Sequence, residues 1–264
     1  GPLDVVVEAT GHPEAAARHA LAAIAAGVNV AMVSKEAECV VGPLLAAKAR
    51  AAGLCWTLVE GDQPALLVSL ISWARTLGLP VVAAGKSSEY DFVFDPATGR
   101  TTWLGESVDS PALHGFWDGA PDLAARAQAL AALPLRTVPD FCEMALVANA
   151  TGLLPSRPDF HAPLARTTEL PDIYGPGGVL AEGEAGVLDV FNMLRRPEET
   201  SFAGGVFVVV ELADARTGAL FRGKGIPVSR DGRRALIYNP SHLLGVEAPV
   251  SVMAAGRLGH SILD

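Results

Sequence analysis

Two lysines each follow a short apolar segment that is typical of a buried β-strand. Lys35 comes after the segment 28–33, and Lys86 comes shortly after Val81 and Val82. A lysine at such a place can bind a carboxylate or a phosphate, or polarise a carbonyl group as hydride arrives. A single lysine of this kind is usually just solvated at the start of a loop, whereas two at equivalent strand ends favour a functional role. We therefore expect Lys86 to be catalytic and Lys35 to bind the substrate.

Carboxylates and an amide follow a third predicted strand. Glu60, Asp62 and Gln63 stand at its end, and Glu143 lies on a helix predicted over residues 141–150. Carboxylates there can act as general acids or bases or bind substrate hydroxyls, although Asp62 could equally cap the helix that follows. We expect Glu60, Asp62 and Glu143 to be catalytic and Gln63 to bind the substrate. A divalent metal stays an open option, since the three carboxylates could converge.

Two further side chains are predicted substrate ligands, each with a structural alternative. Asn149 lies six residues after Glu143 on the same predicted helix, so the two do not share one face cleanly. His242 follows Pro240 and Ser241 where a final helix is predicted to start, and it could simply help that helix to begin. The remaining histidines lack the spacing of a zinc site. The sequence also contains no phosphate-loop or nucleophile-elbow motif.

The first 86 residues alternate between predicted strands and helices. The pattern predicts strands over residues 5–7, 28–33, 55–59 and 81–82, and helices over residues 13–26, 43–52 and 64–77. Such alternation indicates parallel βαβ units, whose ligands bind at the carboxyl ends of the strands. Every one of these strand ends carries polar residues. After the first strand they include Thr10 and Gly11, which we expect to line the cofactor together with Lys35.

The rest of the chain has a different organisation. Residues 87–135 are rich in turn formers and are predicted to be loops with one alanine-rich helix near residues 123–133. Further strands are predicted over residues 186–191, 205–212 and 235–238, and a last helix over residues 242–255. The chain is thus predicted to be α/β, with a partial Rossmann-type parallel sheet followed by an α+β catalytic domain. The predicted domains are the C-terminal half of a nucleotide-binding domain (1–86), a central substrate domain (87–238) and a helix returning to the nucleotide-binding domain (239–264).

Composition narrows the classes of partner. The 264 residues carry a formal net charge of −9, which repels the phosphates of nucleic acids and leaves a small-molecule substrate as the expected partner. The three cysteines have no CxxC spacing, so reduced thiols and a cytoplasmic location are expected. No apolar run reaches the roughly 18 residues of a membrane span, so no membrane partner is expected.

Several segments together resemble the homoserine-dehydrogenase-like oxidoreductases. The segments Asp4-Val5-Val6-Val7-Glu8-Ala9-Thr10-Gly11 and Ser34-Lys35 resemble the later half of the nucleotide-binding domain of that family. Further similarity lies in Glu60-Gly61-Asp62-Gln63, Ala83-Ala84-Gly85-Lys86, Glu143-Met144-Ala145 and Pro240-Ser241-His242-Leu243-Leu244-Gly245. The group includes deoxyxylulose-phosphate-reductoisomerase-like enzymes, which often end in a small antifreeze-type (SAF) domain.

The resemblance implies an NAD(P)-dependent oxidoreductase that acts on a small polyhydroxylated carbonyl compound or acid, with a coupled isomerisation as one option. It implies NADP or NAD as cofactor and a homo-oligomer, a dimer or tetramer, whose contacts come from the central catalytic and dimerisation domain. Relatives often carry a lysine where this chain has the lysine-free segment 137–142, which implies an unphosphorylated substrate. Homoserine dehydrogenase and a non-catalytic binding protein remain the alternatives.

The sequence does not contain the glycine-rich phosphate loop of such enzymes. No GxGxxG motif precedes Val5, and the YGPGG segment 174–178 is predicted to be a turn because no strand-to-helix context surrounds it. We therefore expect the first Rossmann strands and the SAF domain to lie outside this chain. The chain is then expected to keep most of the substrate site and to lose most of its hold on the cofactor.

Overall fold

The computed structural model describes residues 2–117, 119–135 and 139–261. Contacts within the chain divide it into two units. The first unit comprises Gly1–Ser69, Phe141–Gly152 and His242–Asp264, and the second comprises Leu70–Asp140 and Leu153–Ser241. The predicted segment 1–86 is therefore split, because residues 70–86 group with the second unit.

The helices and strands of the described residues alternate in the first third of the chain and become mostly β further on. In chain order they are β1 (Val5–Glu8), α1 (Pro13–Ala25), β2 (Asn29–Met32), α2 (Lys35–Ala51), β3 (Trp56–Leu58), α3 (Gln63–Thr76), β4 (Val81–Ser87), β5 (Phe92–Asp95), β6 (Arg100–Trp103), β7 (Glu106–Asp109), α4 (Leu123–Ala129), α5 (Pro139–Thr151), β8 (Leu164–Ala165), α6 (Leu170–Ile173), β9 (Val187–Arg195), β10 (Val206–Glu211), α7 (Ala215–Gly223), β11 (Arg234–Asn239) and α8 (Leu244–Leu258). None of these helices combines the length and apolarity needed to cross a membrane.

The first unit is built on a parallel sheet in the order β1-β2-β3. Val6 pairs with Val30, and Ala31 pairs with Thr57. Helix α1 packs on this sheet because Ala16 and Ala20 repeat at helical spacing and are fully buried. Helix α8 contacts all three strands. The α/β fold class predicted from the sequence is confirmed.

Helix α2 begins eight residues earlier than predicted. The sequence predicted a helix from Pro43, yet the helix starts at Lys35 and continues through Pro43. A proline inside a helix lacks the N–H that would bond the carbonyl four residues earlier, which here belongs to Cys39. The helix tolerates that loss because the Asn149 side chain donates to the Cys39 carbonyl at 3.1 Å.

The second unit contains a mixed sheet in the order β11-β10-β4-β9-β5-β6-β7, with β8 paired to β9. Strand β4 runs parallel to β9 and antiparallel to β10. The prediction that β4 is the fourth strand of the parallel sheet is therefore wrong. An apolar run has the same pattern in either sheet, and the choice between partners depends on residues far along the chain.

Residues 87–135 were predicted to be loops with one alanine-rich helix near residues 123–133. The helix is present as α4, but the loops before it differ from the prediction. Strands β5, β6 and β7 pair antiparallel to one another in this region. Each has only four residues and is separated from the next by turn formers, so its alternation is too short to be conspicuous.

A close backbone contact joins the two central strands of the second unit. A Cβ atom at Gly85 would lie 1.7 Å from the Asp189 carbonyl oxygen, so β4 and β9 can approach this closely only because residue 85 is glycine. Around them Phe191, Phe207 and Tyr174 form part of a fully buried core.

Candidate active site

Lys35 lies between two carboxylates at the carboxyl end of β2. Its Nζ is 2.5 Å from Glu143 Oε1 and 3.4 Å from Asp62 Oδ1. Lys35 is the first residue of α2, Asp62 directly precedes α3, and Glu143 lies on α5. Three of the predicted site residues, from three separate segments of the first unit, thus meet at one point.

The charges of this cluster perturb the proton affinity of Lys35 and Asp62. Burial opposes the charge of Lys35, but the Asp62 and Glu143 carboxylates outweigh it and raise the pKa of Lys35 above its ordinary value. For Asp62, burial is the largest effect and, helped by the negative charge of Glu143, it raises the pKa of the carboxyl despite the attraction of Lys35. Lys35 is therefore protonated at neutral pH, and 27% of its side chain remains exposed to receive a ligand.

The turn between β1 and α1 contacts Ser34, the residue that directly precedes Lys35. The Gly11 N–H donates to Ser34 Oγ at 2.9 Å, and the Thr10 hydroxyl donates to Glu8 Oε1 at 2.8 Å. Ser34 Oγ also donates to the Glu8 carboxylate. Burial opposes the charge of Glu8, but hydrogen bonds from Ser34 and Thr10 outweigh it and lower the pKa of this carboxyl. Sequence reasoning missed Glu8 and Ser34, although both stand at strand ends.

This turn fits a nicotinamide nucleotide. Thr10 and Gly11 are exposed, and Gly11 has φ +66° with no atom within 4 Å of where a Cβ would be. Backbone that is open on this side can be approached closely by a planar ring or a sugar. Thr10, Gly11 and Lys35 are the residues of this chain that would hold such a group.

Glu60 does not join the carboxylates at Lys35. Its backbone N–H donates to Ser251 Oγ at 2.8 Å, and its side chain lies close enough to Glu247 to feel that charge. Burial, followed by repulsion from Glu247, raises the pKa of Glu60, and its Oε2 is buried without a hydrogen-bond partner. The convergence of Glu60, Asp62 and Glu143, which the sequence left as an option, is therefore not observed. Within the described residues, no group of three or more His, Cys, Asp or Glu is arranged to hold a metal.

The predicted substrate ligands other than Lys35 occupy different surroundings. Gln63 is buried, and its N–H donates to Asp62 Oδ1 at 3.1 Å, so Asp62 contacts both Lys35 and the start of α3. Asn149 holds the Cys39 carbonyl that Pro43 leaves free, which is a structural role. His242 is half-buried two residues before α8 begins. Of the lysine-free segment 137–142, residues 137 and 138 lie outside the described residues.

Lys86 is not equivalent to Lys35. It lies inside β4, in the mixed sheet of the second unit, and its side chain has no exposed surface. Its Nζ donates to Glu89 Oε1 at 2.7 Å. The expectation that both lysines end strands of a single sheet is wrong, because β4 pairs with β9 and β10.

Comparison with known families divides the chain in two. Residues 2–58 match the model of the homoserine dehydrogenase NAD-binding domain. Residues 61–131 and 136–248 match the model of the catalytic domain of oxidoreductase DRL. In the comparison with curated proteins, nothing matches the chain. Since the catalytic-domain match covers more than half of its length, this chain belongs to the oxidoreductase DRL family of homoserine-dehydrogenase-like, NAD(P)-dependent oxidoreductases.

Proposed function

We propose that this protein transfers hydride between NAD(P) and a small polyhydroxylated carbonyl compound or acid, with Lys35 as the proton donor. The observation that carries the proposal is the Lys35 ammonium held by Glu143 at 2.5 Å and by Asp62 at 3.4 Å. The residues stand at the carboxyl edge of a parallel sheet, where such folds bind their ligands.

Lys35 can supply the proton that carbonyl reduction requires. A carbonyl oxygen gains negative charge as its carbon accepts hydride, and a nearby ammonium stabilises that charge. When bound, the nicotinamide supplies or accepts the hydride. Lys35 would hydrogen-bond the substrate oxygen and donate a proton to it as the alcohol forms.

Glu143 and Asp62 would have two tasks. Their negative charges keep Lys35 protonated, which the raised pKa of Lys35 reflects. They also hold the ammonium in place, and the proton that Lys35 gives up is replaced from solvent at the exposed part of its side chain. Glu143 is almost completely buried and lies closer, so it would orient the ammonium, whereas Asp62 also anchors the start of α3.

The substrate class is tested by hydride transfer. The full-length protein would be mixed with NADPH or NADH and a panel containing polyhydroxy ketones, their phosphate esters and, in the reverse direction, homoserine with oxidised cofactor. Turnover, followed by nicotinamide absorbance, is expected with an unphosphorylated polyhydroxy ketone. NMR of the product shows whether the carbon skeleton has rearranged. Turnover of homoserine alone would favour the homoserine dehydrogenase alternative.

The role of Lys35 is tested by Lys35→Met, which keeps the length of the side chain and removes the charge. Turnover is expected to fall by about a hundredfold or more, the usual contribution of a positioned acid. Lys48→Met is the matched control, because Lys48 is exposed on the same helix. Equal turnover of the two variants would contradict the proposal. Cytoplasmic location, oligomeric state and the choice between NADP and NAD stay predictions.

A further inference from the structure

Two cysteine sulfurs lie against each other beside the Lys35–Glu143 pair. Cys39 Sγ on α2 is 3.2 Å from Cys142 Sγ on α5, and both thiols are reduced. Both residues are half-buried, so a small oxidant can reach them. The sulfurs of a disulfide are about 2.05 Å apart, so an approach of about 1 Å would join them.

The surrounding hydrogen bonds keep the two helices in this register. The Cys142 thiol donates to the Lys35 carbonyl at 3.4 Å, and the Asn149 amide donates to the Cys39 carbonyl at 3.1 Å. Cys39 lies one helical turn after Lys35, and Cys142 directly precedes Glu143. A bond between the sulfurs would therefore fix the two backbone segments that carry the ammonium and its closest carboxylate.

We propose that Cys39 and Cys142 are a peroxide-sensitive thiol pair, and that their oxidation to a disulfide cross-links α2 to α5 next to Lys35. The third cysteine, Cys55, lies elsewhere in the first unit, where it is buried next to β3, and takes no part.

The order of attack follows from the proton on Cys142. Burial, together with the hydrogen bond and charge of Cys39, raises the pKa of Cys142 to about 12, so this thiol keeps its proton. Cys39 is then the sulfur that attacks the peroxide first. The negative charge of a Cys39 thiolate opposes loss of the proton from Cys142. A sulfenic acid at Cys39 is neutral and removes that opposition, so the Cys142 sulfur can attack in turn.

The two steps balance. The Cys39 thiolate attacks hydrogen peroxide, an S–O bond forms, the O–O bond breaks, and the released hydroxide takes up the thiol proton as water. The Cys142 sulfur then attacks the Cys39 sulfur, an S–S bond forms and the S–O bond breaks. The hydroxide leaves with the Cys142 proton as a second water. Two electrons from the thiols reduce one peroxide.

The test is mass spectrometry of the full chain treated with a small excess of hydrogen peroxide. The intact mass is expected to fall by two hydrogen atoms, and peptide mapping should find Cys39 joined to Cys142. Dithiothreitol should restore the original mass. The melting temperature of the oxidised chain should also rise, because the bond closes a loop between residues 103 positions apart.

Three variants complete the design. Cys39→Ser and Cys142→Ser should each abolish the mass loss and the rise in melting temperature, while Cys55→Ala should keep both. Oxygen addition at single cysteines, a bridge that includes Cys55, or a bridge only between two chains would each overturn the proposal. The peptide map of the unaltered chain decides the matter even if a serine variant folds poorly. None of these readouts depends on enzymatic activity, so failure of the proposed function would leave this result intact.

Discussion

Lys35 and Lys86 share a sequence context but occupy opposite physical environments. Lys35 begins a helix at the edge of a parallel sheet, keeps 27% of its side chain exposed and faces two carboxylates. Lys86 lies within a strand of a mixed sheet, has no exposed side-chain surface and pairs with Glu89. An apolar run followed by lysine thus predicts an ion pair, but sheet topology decides whether a ligand can reach it.

The two regions differ in whether each buried charge is matched by one opposite charge. A buried charge costs several kcal/mol unless it is paired and hydrogen-bonded, so charges inside the second unit must be matched. There Arg126 meets Glu169 at 2.7 Å, and Arg195 meets Asp91 at 2.6 Å. The edge of the parallel sheet instead holds two carboxylates for one ammonium, which leaves charge available for chemistry.

The largest expected effect comes from a substitution at Gly85 that forces apart β4 and β9, next to Lys86. Gly85→Ala places a Cβ where the Asp189 carbonyl oxygen stands 1.7 Å away, so β4 and β9 must separate. We expect the free energy of unfolding to fall by about 3 kcal/mol, the upper range for overpacking. Gly223→Ala is the control, because a Cβ there meets nothing within 4 Å. Urea unfolding measures the free energy of unfolding of both variants. Equal values would show that β4 and β9 can move apart at little cost.

The next prediction concerns an acid in the first unit that is buried with one oxygen unpaired. Glu38 on α2 is 9% exposed, and its Oε1 accepts from Trp56 Nε1 at 3.3 Å while Oε2 has no partner. Burial, opposed by that hydrogen bond, raises the pKa of Glu38 from 4.5 to about 7. The folded protein therefore holds this proton up to about pH 7, whereas the unfolded chain releases it near the ordinary value.

Stability should accordingly fall as pH rises through this window. The loss attributable to Glu38 is about 3 kcal/mol, since each unit of pKa difference corresponds to about 1.4 kcal/mol. Glu38→Gln should reduce the slope by this amount, leaving the part that the raised pKa values of Glu60 and Asp62 contribute, and should be the more stable protein at pH 8. Glu36→Gln, an exposed position on the same helix, should keep the slope. Identical pH profiles for wild type and Glu38→Gln, measured by urea unfolding, would refute the assignment.

Lys86→Met asks whether the buried lysine does more than hold the sheet. The substitution fills the same space and leaves the partly exposed Glu89 to be solvated, so we expect a loss of about 2 kcal/mol in unfolding free energy. The sequence-based prediction that Lys86 is catalytic adds a roughly tenfold or greater fall in turnover per folded molecule. If turnover instead follows the folded fraction alone, Lys86 has no place in catalysis.

The sequence predicted best what is local. The helix from Pro13, and the positions of Thr10 and Lys35 shortly after β1 and β2, follow from short-range periodicity and turn residues, and all three appear in the structure. The pairing of β4 could not be predicted in this way, because its partners β9 and β10 lie more than 100 residues further along the chain.

The site was predicted in part for the same reason. Lys35, Asp62 and Glu143 were each singled out by residue type and position, but their meeting depends on α5 returning to the first unit. The contact between Cys39 and Cys142 gave no sequence signal, since 103 positions separate them. Asn149 is a residue type that often binds ligands. Its structural role is visible only in the fold, where its side chain donates to the Cys39 carbonyl that Pro43 cannot bond.

The smallest expected effect distinguishes the contributions of the two carboxylates that contact Lys35. Asp62→Asn removes the weaker contact, at 3.4 Å, and leaves Glu143 at 2.5 Å. The charge of Asp62 raises the pKa of Lys35 against the effect of burial, so its removal must lower that pKa. Since Lys35 is proposed to act in its protonated form, the alkaline limb of the turnover profile should move to lower pH. Asp4→Asn, an exposed acid of the same unit, is the control, and an unmoved limb in Asp62→Asn would show that Glu143 alone sets the proton affinity of Lys35.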